Sequence, residues 1–449
     1  MKYHIWTSGC QMNVADSQRV ASSLEKLGYS PIRNVESADV IVVNTCVVRQ
    51  SAEDKAYGYL SSLRPLKERR PEIVINLMGC LVGVKGNPAL SNVFPFVDVF
   101  SPPSEPRPLI EYILKHDGKA DEQIETDLRF ALMDEELRLP MDSTGRLISA
   151  FVPVVLGCSH ACTFCVIPYR RGIERSRPIE TITREVQDLT DQGVREVTLL
   201  GQIVDRYGMD IIDGPNLTDL LHVIHEVEGI ERIRFLTSHP NWMNDSLLET
   251  IAELPKVCEH VEVPVQSGDD EILHRMKRGY SANDYRQLIT KIRDHIPGVM
   301  IATDVIVGFP GETDIQFQHT FDLLAELKLD VAHLARYSPR PDTVATRRMV
   351  DDVPQDVKMK RFRALEELQE RISSEINSEH LGRQVEVLVE EKQRGRWKGR
   401  TKTNKLVFFE SENNMLGQLA TVHIQWAGPW SMRGDLVQES RDEKIAQQL

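Results

Sequence analysis

A regular alternation of strand-like and helical segments constrains the fold of this sequence most strongly. Between Phe151 and about Pro341, six short segments rich in β-branched residues recur, and helical segments separate them. Such repetition is typical of a parallel βα barrel, whose functional groups lie on the loops after the strands. Six units instead of eight predict a partial (β/α)6 barrel with a lateral opening. The strand-like segments are VPVVLGC, EVTLLGQ, RIRFLTSH, HVEVPVQSG, MIATDVIVGFPGE and VAHLARYSPRP.

The first part of the chain shows the same alternation, which predicts an α/β domain with an open parallel sheet. Three of its strand-like segments end in a cysteine: YHIWTSGC at Cys10, VIVVNTC at Cys46 and IVINLMGC at Cys80. The carboxyl ends of parallel strands share one edge of a sheet, where ligands usually bind. We therefore expect these three thiols to converge despite their wide spacing in the sequence.

A length of 449 residues exceeds what one compact core usually holds, so several domains are expected. The sheet domain is predicted over residues 1–115 and a charged linker over residues 116–148. The barrel domain then covers residues 149–380 and ends in a long helix. Alternating strands return in residues 381–449, where QVEVLVEEK, KLVFFE and ATVHIQW predict a small β-barrel.

Composition narrows the possible functions. The net charge of −13 argues against a protein that coats nucleic acid indiscriminately, although a local basic patch could still bind it. Seven cysteines, an odd number, favour metal or redox use of thiols over a disulfide framework. Neither a signal peptide nor a bilayer-length apolar run is evident, so we expect a cytoplasmic protein that does not enter a membrane.

The segment GCSHACTFCVIPYRRG places Cys158, Cys162 and Cys165 in a Cys-x3-Cys-x2-Cys arrangement after the first predicted barrel strand. Thiolates are the usual protein ligands of iron–sulfur clusters, and three of them on a four-iron cluster leave one iron open. A structural zinc site usually takes four protein ligands, and here His160 lies between the cysteines. Zinc binding or inert thiols are therefore the alternative interpretation.

This loop resembles that of the radical S-adenosylmethionine enzymes. The resemblance implies that the open iron binds the amino and carboxylate groups of the cofactor, and that the reduced cluster cleaves it to a 5′-deoxyadenosyl radical. Phe164 would shield the adenine side. The motifs SRP, TSHP, PVQSG and IVGFPGE near later strand ends support the resemblance. Further cofactor contacts implied there are Arg177, Gln202, Gln266, Ser267 and Asp304.

By resemblance to the methylthiotransferase branch of that family, Cys10, Cys46 and Cys80 would bind a second 4Fe-4S cluster with an open iron for a sulfur species. A single buried cysteine is most often a small core residue, but three cysteines at matching strand ends argue against that alternative here. Two clusters and S-adenosylmethionine would then carry the chemistry, and no side-chain acid or base is expected to. Cys258 lacks a nearby partner and is predicted to have no function.

Arginines close to the cysteine loop form a further candidate group. Arg170 and Arg171 follow the loop directly, and Arg177 lies a little further on. A guanidinium can pair bidentately with a carboxylate or a phosphate. These side chains are therefore predicted to contact the cofactor carboxylate or RNA, with a solvated surface role as the alternative.

The segment KQRGRWKGRTKTNK near the end of the chain holds seven basic residues and no acidic ones. Basic side chains attract phosphates and an aromatic ring can stack on an unpaired base, although a charged run is often only a solvated face. The module also resembles the TRAM domain of RNA-modifying enzymes, including its GRT and MRGDL segments. The predicted RNA contacts are Arg394, Arg396, Trp397, Lys398, Arg400 and Lys402.

Over nearly its whole length the chain resembles the tRNA methylthiotransferases. Their activity implies transfer of a methylthio group to C2 of an N6-isopentenyladenosine just 3′ of the anticodon, at tRNA position 37. The implied partners are the tRNA anticodon stem-loop, an electron donor such as flavodoxin or ferredoxin, and a sulfur source of unknown identity. The sequence departs from the commonest pattern at Ile203 and Asp205, which are usually asparagine, and at Asp342, which is usually glycine.

Several alternatives remain open at this point. Sister enzymes methylthiolate threonylcarbamoyladenosine in tRNA or an aspartate of a ribosomal protein. A methyltransferase that inserts no sulfur is another possibility, against which the cysteines of the first domain argue. A noncatalytic RNA-binding iron–sulfur sensor is the candidate from a different functional class.

Overall fold

The computed structural model describes residues 1–116, 121–132, 137–140 and 143–437. Its first domain is an open parallel sheet of five strands in the order β2-β1-β3-β4-β5, as predicted. Within the described ranges, no helix has the length and apolar character needed to cross a membrane. The elements of this domain are β1 (Lys2–Thr7), α1 (Gln11–Lys26), β2 (Ser30–Pro31), β3 (Val40–Thr45), α2 (Gln50–Arg69), β4 (Val74–Gly79), α3 (Ala89–Val93), β5 (Val99–Ser101), α4 (Arg107–His116) and α5 (Asp121–Leu132).

The central strand β3 shows why this sequence forms a sheet covered on both faces. Every residue of VIVVNT is buried. Ile41 and Val43 pack with the leucines of α2, whereas Val40 and Val42 pack with apolar residues of α1, α4 and α5. Successive side chains of a strand point to opposite faces, so an uninterrupted apolar run is what a sheet between two helical layers requires.

Helix α5 lies in the segment that was predicted to be a linker. Its residues Ile124 and Leu128 are buried against α1 and α4, so this helix completes the core of the first domain. The many charged residues on its outer face concealed this apolar stripe. The rest of the predicted linker falls partly outside the described residues, and Leu137 and Leu139 are already part of the barrel core.

The central domain contains six parallel strands in two three-stranded sheets, β6-β9-β10 and β11-β12-β13. Strand β10 adjoins the second sheet through a parallel bridge between Ile233 and Val257. In the described chain no pairing joins β6 to β13, so the predicted partial barrel with a lateral opening is confirmed. Its elements are β6 (Ser149–Pro153), β7 (Val155–Leu156), α6 (Ile167–Arg171), β8 (Arg175–Ser176), α7 (Ile179–Asp191), β9 (Glu196–Leu200), α8 (Leu217–His225), β10 (Arg232–Leu236), α9 (Asp245–Glu253), β11 (His260–Glu262), α10 (Asp270–Met276), α11 (Ala282–His295), β12 (Met300–Val307), α12 (Asp314–Leu327), β13 (Val331–Arg336), α13 (Val344–Arg348) and α14 (Gln355–Ser378).

The first barrel strand ends earlier than predicted. The segment VPVVLGC was expected to run straight into Cys158, but β6 ends at Pro153, and β7 then pairs antiparallel with β8. Gly157, directly after β7, allows the chain to pass close to the backbone of Ile173. It adopts a φ of +73°, and a Cβ there would lie 2.1 Å from the carbonyl oxygen of Ile173. The cysteine loop and α6 therefore connect the two strands of a small separate sheet.

The third domain is a closed five-stranded barrel with the order β14-β15-β16-β18-β17, which confirms the predicted small β-barrel. It docks at the amino ends of the central strands. There Arg232 of β10 donates to the carbonyl oxygen of Arg400 at 2.5 Å, and Lys405 Nζ lies 2.6 Å from Asp330 Oδ1. The strands are β14 (Gln384–Gln393), β15 (Arg396–Arg400), β16 (Leu406–Phe409), β17 (Leu419–Ala427) and β18 (Met432–Leu436).

Candidate active site

The carboxyl ends of the strands of the first domain and of the partial barrel meet at one cavity of about 640 Å³. Cys10 caps the amino end of α1, and two further cysteines follow β3 and β4 directly. The remaining three come from the loop between β7 and α6. Six cysteines therefore line the same space: Cys10, Cys46, Cys80, Cys158, Cys162 and Cys165.

The cysteines of the first domain approach one another closely. A hydrogen bond between the thiols of Cys10 and Cys46 lowers the pKa of Cys10 and raises that of Cys46. Burial raises the pKa of Cys80. The approach depends on Gly9, whose φ is +123°. A Cβ at this position would lie 2.3 Å from the Cβ of Cys46, so no other residue fits here without a shift of the loop.

Neither cysteine set is arranged to hold a single metal ion. Among the described residues, no group of three His, Cys, Asp or Glu side chains has the geometry for one. In a four-iron cluster each protein thiolate binds a different iron, so the ligands lie further apart than around a single ion. The sulfur-only donor sets therefore suit an iron–sulfur cluster better than the zinc alternative.

Arg171 lies against the cysteines of the first domain, although it belongs to α6 of the barrel. Its guanidinium is near the thiols of Cys80 and Cys10, and its side chain is almost fully buried. Nη2 donates to Asn13 Oδ1 at 2.7 Å and to Asp16 Oδ2 at 3.1 Å. These partners replace the cofactor carboxylate or phosphate that was predicted for this arginine.

The cysteines of the barrel loop lie beside apolar side chains. Cys158 packs with Ile167 and Ile203, close to Trp242. Burial raises the pKa of Cys158 to about 11 and that of Cys165 to about 12. These thiols therefore have little tendency to ionise without a metal, which stabilises the thiolate form of a cysteine.

Arg278 contacts this second set and was not predicted from the sequence. Its Nη1 donates to Cys162 Sγ at 3.2 Å, while Nη2 donates to the carbonyl oxygen of Pro264 at 3.1 Å. Nε donates to the hydroxyl of Tyr280 at 2.9 Å, and the arginine is only 5% exposed. Each cysteine set thus has one buried guanidinium beside it.

Four of the predicted cofactor contacts line the cysteine cavity, namely Phe164, Gln202, Gln266 and Asp304. Gln266 is the most informative of them. It adopts a left-handed φ of +72°, and its Oε1 is buried without a hydrogen-bond partner in the described chain. A buried acceptor of this kind is costly unless a ligand supplies a donor.

Two predicted contacts lie elsewhere. Arg177 donates to the carbonyl oxygen of Pro153 at 2.7 Å and pairs with the buried Glu185 at 2.6 Å, away from the cysteines. The hydroxyl of Ser267 is fully buried, where it accepts from the amide of Asp269 at 3.2 Å. In this structure both motif residues face the packing between barrel elements and do not line the cavity, and their contact with the cofactor stays a prediction. Arg170 instead lies 3.5 Å from Asp342.

The TSHP segment builds an aromatic wall beside the barrel cysteines. The ring of His239 lies 4.7 Å from that of His160 and 4.6 Å from that of Trp242, measured between centroids. Burial and the nearby charge of Arg278 lower the pKa of His239 to about 2, so its imidazole is neutral. These rings therefore flank the barrel cysteines on one side, and the guanidinium of Arg206 lies 4.4 Å from the ring centroid of Trp242.

Asp205, one of the departures from the commonest family pattern, holds the backbone of His239 in place. Its Oδ2 accepts the backbone amide of His239 at 2.9 Å, whereas Oδ1 is buried without a partner among the described residues. Burial raises the pKa of Asp205 to about 7. An asparagine oxygen could accept the same amide without the cost of burying a charge.

A second cavity of about 610 Å³ fills the barrel lumen and extends to the small β-barrel. It adjoins the cysteine cavity, because Glu262, Asp304 and Arg49 line both. Burial and the neighbouring carboxylate of Asp304 raise the pKa of Glu262 to about 7. The lumen is polar because Glu196, Thr198 and Arg234 face it; the outward residues between them pack against helices.

In the small β-barrel, most of the predicted RNA contacts are buried or already paired within the protein. Trp397 is only 6% exposed, packs with Val407 and Phe409, and donates Nε1–H to the carbonyl oxygen of Ser411 at 3.1 Å. The prediction that it stacks on a base is therefore wrong. Arg394 is exposed in the turn after β14. Other predicted contacts already have protein partners: Arg396 with Glu410, Lys398 with Glu391, Arg400 with Glu390, and Lys402 with the carbonyl oxygen of Pro255.

Three family models match successive parts of the chain. Residues 2–101 match the uncharacterized protein family UPF0004, residues 152–324 the radical SAM superfamily, and residues 379–437 the TRAM domain. These segments fall in the first sheet, the partial barrel and the small β-barrel, respectively.

Curated relatives match over nearly the whole length. The tRNA-2-methylthio-N(6)-dimethylallyladenosine synthase of Herpetosiphon aurantiacus is 43% identical over 442 residues, which cover 98% of each chain. The enzyme of the same name from Dehalococcoides mccartyi is 44% identical over 436 residues, which cover 97% of this chain and 98% of that one.

Solved structures share the fold at low identity. The radical S-adenosylmethionine methyltransferase TsrM from Kitasatospora setae, with cobalamin and a 4Fe-4S cluster bound, superposes with a TM-score of 0.56. It is 14% identical, and the match covers 77% of this chain and 73% of TsrM. At that identity the likeness concerns the arrangement of the domains' strands and helices alone.

Proposed function

This chain belongs to the radical SAM family of tRNA-2-methylthio-N(6)-dimethylallyladenosine synthases, and from that premise we propose that it transfers a methylthio group to C2 of an N6-isopentenyladenosine beside the tRNA anticodon. The convergence of six cysteines on one cavity carries the proposal. A sulfur-delivering site must lie beside the site that activates the substrate carbon, and here both cysteine sets face the same space.

The two sets would each hold one 4Fe-4S cluster: Cys10, Cys46 and Cys80 the first, and Cys158, Cys162 and Cys165 the second. When bound, the first cluster would carry the sulfur, and S-adenosylmethionine would supply the methyl group and, at the second cluster, the radical that this reaction needs. An aromatic C–H bond offers no acidic proton to a side-chain base, so this chemistry belongs to the cofactors.

The protein's own side chains would position and shield these groups. Gln266 offers an unpaired buried acceptor to a cofactor N–H, and Phe164 lines the cavity beside it. His239 and Trp242 flank the barrel cysteines on one side. Arg278 stabilises negative charge at Cys162, because its guanidinium donates to that sulfur.

The partner that follows from this function is the anticodon stem-loop of tRNA. A one-electron donor such as flavodoxin or ferredoxin would reduce the barrel cluster, and a separate source would supply sulfur. The names of the relatives favour isopentenyladenosine over threonylcarbamoyladenosine or a ribosomal-protein aspartate as the substrate.

The test uses anaerobically reconstituted protein with dithionite, S-adenosylmethionine and synthetic anticodon stem-loops. One RNA carries N6-isopentenyladenosine, and matched RNAs carry adenosine or threonylcarbamoyladenosine at the same position. We expect nucleoside mass spectrometry to find the 2-methylthio product only on the first RNA. A product that gains methyl alone would indicate a methyltransferase without sulfur insertion. Absence of 5′-deoxyadenosine would instead indicate a noncatalytic sensor.

A further inference from the structure

Trp430 is a large aromatic side chain held in solvent. It lies in the turn between β17 and β18 and is 61% exposed. The buried Asn377 of α14 fixes this turn, since its Nδ2 donates to the carbonyl oxygens of Gly428 at 2.8 Å and Pro429 at 3.1 Å. The indole is therefore presented on an anchored support, an arrangement typical of recognition residues.

Trp430 lies between the barrel lumen and a groove on the outer surface. It lines the lumen cavity, and it also lines a groove of about 520 Å³ that runs along the edge strand β13. Arg49 and His333 line both of these spaces as well, and Arg49 further lines the cysteine cavity. A continuous route thus leads from the groove, past Trp430 and Arg49, to the cysteines.

The charges of the groove favour stacking over purely electrostatic attraction. Arg49 and Arg363 are exposed there, and neither forms an ion pair within the described ranges. Three glutamates of α14 line the same groove: Glu366, Glu367 and Glu370. The groove therefore carries charges of both signs, with three carboxylates against two guanidinium groups. An RNA bound here would depend on an aromatic surface and on one or two phosphate contacts.

We propose that Trp430 stacks on an unpaired anticodon-loop base next to the reacting adenosine, and that Arg49 binds a phosphate of the same loop. The adenosine then enters the cysteine cavity through the opening beside β13. This inference rests on the proposed function and deepens it. Every base presents a flat π face, so the contact tolerates different neighbouring nucleotides.

Trp426 provides a matched control on the same domain. It is 45% exposed on β17, and the guanidinium of Arg433 lies 4.8 Å above its ring centroid. It lines neither the lumen cavity nor the groove. A tryptophan that contacted RNA only through general surface affinity would behave like Trp426.

The experiment measures binding of the fluorescently labelled, isopentenylated anticodon stem-loop to the reconstituted full-length protein without reductant. We expect Trp430→Ala to raise the dissociation constant about tenfold or more, and Trp430→Phe to retain most of the affinity. Trp426→Ala should stay within about twofold of the wild type. S-adenosylmethionine cleavage without RNA should be unchanged in all three variants, which shows that they are folded.

Arg49→Ala adds a second readout. It should reduce the slope of log K against log salt by about 0.7, the contribution of one phosphate contact. Wild-type affinity in Trp430→Ala, or a larger loss in Trp426→Ala, would overturn the proposal while wild-type methylthiolation of tRNA persists. Wild-type protein that neither binds nor modifies the stem-loop would overturn the proposed function and this inference together.

Discussion

Arg171 and Asp16 form a buried ion pair with a separation of 3.1 Å, and their side chains are 3% and 0% exposed. The pair joins the helix after the barrel cysteines to the first helix of the sheet domain. Since Cys10 caps the first helix of the sheet domain and Cys165 lies just before α6, the ion pair helps to hold the two cysteine sets in place relative to each other. The ion pair therefore connects the two domains next to the two proposed cluster sites.

Removal of this guanidinium should destabilise the protein strongly. Arg171→Met leaves the carboxylate of Asp16 buried without a counter-charge, which lowers the free energy of unfolding by about 3–5 kcal/mol. Urea denaturation of the metal-free protein measures the change. The double variant Arg171→Met with Asp16→Leu should recover a large part of the loss, because it removes both charges. A double variant as unstable as the single one would show that the ion pair is not the cause.

The two cysteine sets should be separable by mutation. Cys162→Ala removes a ligand of the proposed cleaving cluster, so we expect no 5′-deoxyadenosine. Cys46→Ala should spare cleavage but stop methylthiolation. Each variant should hold about four irons per chain, against about eight in the wild type. Cys258→Ala, at a buried thiol outside both sets, is the control and should keep both activities. Methylthiolated tRNA from Cys46→Ala would contradict the assignment of two clusters.

The hydrogen bond from Arg278 to Cys162 should tune the reduction potential of the barrel cluster. Reduction adds negative charge, which the guanidinium stabilises, so Arg278→Met should shift the potential downward by tens of millivolts. An anaerobic redox titration followed by electron paramagnetic resonance measures this shift. Arg275→Met on the same segment is the control, since Arg275 makes no contact with a cysteine in the described structure. An unchanged potential in Arg278→Met would contradict this role.

The sequence predicted the strands and the cysteine cavity because both follow from local patterns and one topological rule. Strand-like runs such as VIVVNT identify a buried strand, and parallel strands place Cys46 and Cys80 at one edge. Trp397 was misassigned even though a signal was present. Its neighbours Arg396 and Lys398 point outward on β15, so the alternation of a strand turns Trp397 inward.

Other residues gave no usable local signal. Arg278 contacts Cys162 across 116 residues of sequence, and its segment resembles any basic helix end. Trp430 gains its position from Asn377, which lies on a different element. Such contacts depend on how the domains dock, and a single sequence without tertiary information does not reveal that.

Asp205→Asn should stabilise the protein in a way that depends on pH. The folded-state pKa of Asp205 is about 7, against an ordinary value of 3.8, because burial disfavours its charged form. Between these two values the folded state retains a proton that the unfolded state has lost, so stability falls as pH rises through this window. Asparagine removes the effect. We expect the variant to be more stable by about 1–3 kcal/mol at pH 8, with the advantage disappearing near pH 4.

Thermal unfolding of the wild type and Asp205→Asn from pH 4 to pH 8 measures this difference. Asp213→Asn is the matched control, because it removes the same charge from an exposed position in the loop that follows. The control should not reproduce the growing difference with pH. Because Asn can still accept the amide of His239, the aromatic wall should remain in place and S-adenosylmethionine cleavage should persist in Asp205→Asn. A stability difference that is constant across this range would contradict a buried, protonated Asp205.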